Sequence, residues 1–157
     1  MDQALIESTT LAGVLPARQQ RSREVVARLL DSALKLLADR DFVALSIADV
    51  CADAGVTAGA FYKRFDSKDL FIEFLQRLVV EEVRRNMASS FSSEQFAGMD
   101  LRVFLGKSVE ATARWYRKYE GFARASLRYA QLHPESWSPL RETGERYTRT
   151  LEPVILQ

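Results

Sequence analysis

The chain has 157 residues, 47% hydrophobic and 27% charged, enough to bury a core as one large domain or two small ones. Its 22 lysines and arginines nearly balance 21 acids, so any affinity for polyanions has to come from a local patch rather than a global field. One cysteine, Cys51, excludes an internal disulfide framework and fits a reducing compartment as a buried thiol. No apolar run nears the ~20 residues of a membrane span. The N-terminus, MDQALIESTTLAGVLPA, has no basic run ahead of its apolar part, so it does not read as a secretory signal and a cytoplasmic protein is expected.

Glycine (7) and proline (4) are scarce, and long segments repeat apolar residues with helical period, which predicts an all-α chain. Residues 1–20 carry Pro16 and no periodic apolar face, and read as a flexible arm. Its end is basic (Arg18, Arg21, then Arg23), and basic arms can enter a minor groove. From Arg23 to Asp39, Val26, Leu29, Leu30, Ala33, Leu36 and Leu37 form a helical stripe, with Ser22 as the candidate N-cap and Asp41 closing the helix in left-handed geometry. Ser46 opens a second helix and Asp49 suits its positive start; Ile47, Val50, Cys51 and Ala54 make its apolar face, and Gly55 ends it. Helical character resumes at Ala58 and places Phe61 and Phe65 on one face. Ser67 caps a long amphipathic helix reaching about Ala88, and SSFSSEQFAGMD (89–100) reads as a loop. Three further helices are expected at about 101–118, 120–132 and 138–156, with Pro134, Pro139 and Pro153 as punctuation.

The chemistry concentrates in VTAGAFYKRFDSKD, residues 56–69. Two short helices joined at a glycine turn, with a third behind, form a helix-turn-helix, whose second helix lies in a DNA major groove. Thr57 can cap that helix and turn its hydroxyl toward phosphate. Ala58, Gly59 and Ala60 keep the leading edge small, and Phe61 and Phe65 anchor the opposite face. Tyr62, Lys63, Arg64 and Lys68 supply an aromatic hydroxyl and three cations suited to phosphate oxygens. By spacing alone, an αα-hairpin in a helical bundle with an ordinary solvated charged face fits the same residues.

From Val26 to Leu70 the chain resembles the N-terminal domain of the tetracycline-repressor (TetR) family of regulators. The resemblance rests on Ser46, Ile47-Ala48, Ala54-Gly55-Val56-Thr57, the run Gly59 to Phe65, and Ser67-Lys68-Asp69-Leu70. It implies a three-helix DNA-binding domain at 21–67 and a helical effector-binding and dimerisation domain at 68–157. Thr57, Tyr62 and Lys68 would contact phosphates, Ala58, Gly59, Ala60 and Lys63 would face the groove, and Ser46 would sit where the first helix of the motif meets backbone. Three departures stand out: Asp41 where glycine is common, Arg64 in place of histidine, and Ala60 in place of a frequent threonine.

The resemblance further implies a homodimer on a double-stranded operator, released by a small hydrophobic effector. Candidate lining residues are Phe104, Trp115, Tyr119, Phe122 and Trp137, all of which core packing would also explain. LRETGERYTRTLEPVILQ is similar to the start of the first dimer helix, so the second domain is expected to be short. The alternative is a helical interaction module, or shortened regulator, acting through a partner chain. One histidine, one cysteine and no glycine-rich phosphate loop suggest no catalytic residues, metal or cofactor, and no enzyme.

Overall fold

The structure, a computed structural model, describes residues 3–17, 19–90, 100–134, 141–145 and 149, without the side chains of 87–90. The helices are α1 (Gln3–Ser8), α2 (Gln20–Leu36), α3 (Ile47–Ala54), α4 (Ala58–Tyr62), α5 (Lys68–Ser90) and α6 (Leu101–Leu132). Among the described residues the only β pairing is one isolated antiparallel bridge, Val14 to Phe65. The chain is all-α, as its periodicity predicts. Most of the serine-rich stretch, most of the expected last helix, Trp137 and Arg18 lie outside the described residues.

The stops and starts around α3 and α4 follow from single residues. Ser46 Oγ accepts the Asp49 N–H at 3.1 Å, and Thr57 Oγ1 accepts that of Ala60 at 3.2 Å, so each hydroxyl satisfies an amide with no partner inside its helix. Gly55 ends α3 at φ +64°, left-handed geometry that suits a residue without Cβ, and the Val56 N–H returns to the Cys51 carbonyl at 3.0 Å. Ser67 caps α5 through the Leu70 N–H at 3.1 Å.

Two expectations about α2 need correction. It begins at Gln20, so Ser22 lies inside the first turn; Gln19 is the N-cap and uses no side-chain bond. Asp41 is not left-handed; no described residue other than glycine has positive φ. Its carboxylate instead accepts the Ala44 N–H at 2.9 Å and shapes the α2–α3 loop through its side chain.

The core continues through all these helices. Leu29, Leu30 and Ala33 of α2 are fully enclosed, and Ser32 Oγ donates to the Val50 carbonyl at 3.1 Å, locking α2 to α3. Phe61, Phe65, Phe71 and Phe74 form a ring cluster with centroids 5.0–5.6 Å apart, joining α4 to α5. Cys51 is buried, and that burial pushes its thiol above the ordinary value, away from a nucleophile's thiolate.

α6 runs along the other side, kinked at Tyr119 (φ −120°, ψ 22°), where the sequence reading separates two helices. It docks on the C-terminal end of α2: Phe122 meets Phe42 edge-on at 6.0 Å, and Arg124 donates to the carbonyls of Leu37 and Ala38. Gly121 permits that approach, because a Cβ there would press into the Leu37 carbonyl and lie 2.8 Å from the Ala38 nitrogen.

The N-terminal segment is the main departure from expectation. Residues 3–17 are not a free arm: α1 packs on α2 and α5, burying Leu5 and Ile6. Glu7 pairs with Arg23 at 3.3 Å, and Arg85 donates to Ser8 Oγ at 3.2 Å. Gly13, at φ +79°, lets the chain cross α5 where a Cβ would meet Leu70 Cδ1 at 2.7 Å.

Candidate nucleic-acid interface

α4 is short, and its buried face is a single ring, Phe61, held by Phe65 and Phe71. That fixes which side chains turn outward. Ala58, Gly59 and Lys63 are exposed, Ala60 is half-buried, and Tyr62 is 55% exposed with its ring edge-on to Phe61 at 5.2 Å. The helix tightens beyond Tyr62: Arg64 N donates to the Phe61 carbonyl at 2.8 Å and Phe65 N to the same oxygen at 3.0 Å. The turn therefore delivers Phe65 to the core, although α4 itself ends three residues earlier.

Gly59 gives the clearest indication of purpose. A Cβ built there would meet nothing nearer than Thr57 Oγ1, at 3.9 Å, so nothing inside the fold demands glycine at this position. Glycine in a helix costs about 0.5–1 kcal/mol relative to alanine. An unforced, costly glycine on an exposed helix fits a demand from outside: a surface that must come close to the backbone.

The cations divide. Lys63 projects from the exposed edge. Lys68 is half-buried at the start of α5, and its Nζ donates to the Val43 carbonyl at 2.9 Å, tying α5 to the α2–α3 loop and leaving two ammonium protons for other acceptors. Arg64 is turned the other way: its Nη1 donates to the carbonyls of Leu15 (3.1 Å) and Pro16 (2.8 Å). The expected grouping of Tyr62, Lys63, Arg64 and Lys68 on one phosphate-facing edge is thus altered, with Arg64 engaged by the N-terminal segment. Ser46 spends its hydroxyl on the α3 cap, and Asp49 beside it pairs with Arg40 at 2.5 Å. The bonds from Ser46 and Arg40 hold the Asp49 carboxyl below its ordinary value.

A helix pair turning through left-handed Gly55, with α4 anchored from behind and small on its outer edge, is helix-turn-helix geometry. Residues 29–73 match the family described as bacterial regulatory proteins, tetR family. The match identifies a tetR-type DNA-binding domain within the chain. That domain supports a DNA-binding transcription regulator. No curated protein matches the chain. Among the described residues no helix is long and apolar enough to cross a membrane, and no group of three or more His, Cys, Asp or Glu could hold a metal ion.

Of the candidate effector residues, Trp115, Tyr119 and Phe122 come together at the α6 kink, with Trp115 and Tyr119 centroids 5.8 Å apart and Tyr119 and Phe122 6.3 Å apart. Tyr119 and Phe122 belong to the continuous core, whereas Phe104, buried on the N-terminal half of α6, stands outside that cluster. Tyr119 Oη donates to Glu82 Oε2 at 2.6 Å and Lys118 Nζ to Glu82 Oε1 at 2.5 Å, bridging α6 to α5. The Trp115 Nε1 donor is buried without a partner among the described residues. The signal the sequence reading missed is TTLAGVLPA: a glycine between apolar residues, followed by an extended Val-Leu-Pro, is the pattern of a segment that pairs and packs.

Proposed function

We propose that α4 is the element that reads DNA, that this cytoplasmic regulator is a repressor, and that a small apolar ligand releases it from its operator. The observation that carries the reading is the exposed edge of α4, with a glycine the fold itself does not need. Ala58, Gly59, Ala60 and Lys63 face the groove; Thr57, Tyr62 and the free protons of Lys68 meet phosphates, with Ser46 beside the backbone. The test uses duplexes selected by this protein from a randomised pool. Gly59→Leu keeps the thermal midpoint, because the added side chain meets open space, but loses at least ~10-fold in affinity, as expected when one close contact worth ~1.4 kcal/mol is blocked. Undiminished affinity would remove α4 from the interface.

Release by ligand is supported by the orphaned Trp115 Nε1, a buried donor beside Tyr119 that a ligand acceptor would satisfy. Self-association is supported by Leu101, Leu105, Val109 and Tyr116, exposed apolar residues recurring along α6. Two copies would set two α4 helices about one DNA turn apart, roughly 34–36 Å. Sedimentation decides between a homodimer and the alternative of a helical module acting with a different chain: a monomer at all concentrations sinks the former.

A further inference from the structure

We propose that residues 14–16 and Arg64 form a clasp that fixes the pose of the reading helix, making Arg64 a positioning residue rather than a DNA contact; the DNA part of this rests on the reading of α4 given above. Four observations converge. Val14 bridges to Phe65 in antiparallel fashion. The Leu15 N–H donates to the Arg64 carbonyl at 3.0 Å. The Arg64 guanidinium returns two bonds to the Leu15 and Pro16 carbonyls, so main chain and side chain of one residue are gripped by the same short segment. Arg64 also sits where α4 ends, one residue before the ring that anchors it.

Apolar packing is thin at this point. Leu15 is 58% exposed, and a cavity of about 400 Å³ opens between the segment and Val26, Phe65, Phe74 and Arg77. Directed bonds therefore share the attachment with Val14, which packs against the core, and charge-assisted bonds are about twice as strong as neutral ones. The far end of the segment is fixed by α1, which buries Leu5 and Ile6, and Gly13 lets the intervening chain lie against Leu70. A rigid body at one end and a grip at the other give α4 a second support besides Phe61 and Phe65.

Two variants that do not touch each other test the clasp. Arg64→Met keeps the side-chain stem and removes the donors. Gly13→Ala strains the segment away from α4, since alanine at φ +79° is unfavourable and its Cβ meets Leu70. In protein without DNA, each variant is expected to speed amide hydrogen exchange of Phe61 to Phe65 by about 10-fold, as for loss of one to two net hydrogen bonds, with the exchange of α2 unchanged. On selected duplexes each weakens binding by a similar factor, the double variant is no worse than either single one, and the salt slope stays that of the parent. Three results overturn the proposal: unchanged exchange at the end of α4, additive losses in the double variant, or a slope shallower by about 0.9 in Arg64→Met, the mark of a lost phosphate contact. Gly59→Leu separates the two readings: full affinity there with accelerated exchange in the clasp variants refutes the reading of α4 and leaves the mechanical clasp standing.

Discussion

Three glycines in this chain are held by three different demands. Gly55 is fixed by backbone geometry, since its φ of +64° closes α3 and only the Arg28 guanidinium comes near, at 3.9 Å. Gly121 is fixed by space, because α6 lies against the α2 terminus with no room for a methyl group. Gly59 is fixed by neither. The substitution outcomes therefore diverge. Gly55→Ala is expected to cost about 1 kcal/mol, the ordinary penalty for a left-handed alanine. Gly121→Ala should cost about 1–3 kcal/mol as overpacking against main chain that cannot yield. Urea unfolding monitored by far-ultraviolet dichroism reads both, and a Gly121→Ala protein as stable as the parent would show that α6 does not sit on Leu37 as described.

At the scale of elements, the helix-turn-helix was legible because each boundary depends on a local interaction. A hydroxyl three residues before the amide it accepts, at Ser46, Thr57 and Ser67, needs no tertiary knowledge. The Phe61 and Phe65 pair was legible for the same reason, as was the break in α6 near Tyr119. α1 was not. Six residues make under two turns, too few to show a period, and its buried Leu5 and Ile6 are adjacent rather than spaced. The Arg64 contacts were not legible either, because its partners are main-chain carbonyls 48 and 49 residues away, which no side-chain pattern reports.

The acid response belongs to the same scale. Asp49 pairs with Ser46 and Arg40, while Asp53 is held chiefly by Lys35 and also by Ser32; both carboxyls lie below their ordinary 3.8. A carboxyl lowered in the folded state stabilises it above the unfolded value and loses that contribution as pH falls through the folded value. Stability should therefore fall below about pH 4, and the double variant Asp49→Asn, Asp53→Asn should show a flatter acid limb. Both groups are exposed, so the difference will be small at neutral pH and will shrink with salt. An acid limb identical to that of the parent would mean that neither pair contributes.

For the whole molecule, α6 is the member that ties α5, α2 and the α2–α3 loop together. It reaches α5 through Glu82, α2 through Arg124 and Phe122, and the α2–α3 loop through Arg128, 3.7 Å from Asp41. A rearrangement at the kink would thus be felt by α5 on one side and by the end of α2 on the other. Tyr119 is the joint, and its ionisation measures how firmly the joint is closed. Burial first, then the bond to Glu82, raises the phenol from 10.0 to about 12, against the pull of Lys118 in the other direction. A raised value means that the folded state holds its proton longer than the unfolded chain, so the Tyr119 contribution is complete below pH 10 and is lost as pH climbs toward 12. Tyr119→Phe should remove that alkaline loss, together with the part of the upward Lys118 shift that the Tyr119 phenol supplies. The comparison is made by denaturant unfolding at a series of pH values from neutral to strongly alkaline. If the two curves run parallel throughout, Tyr119 is not closed against Glu82, and α6 is not braced on α5 at the kink.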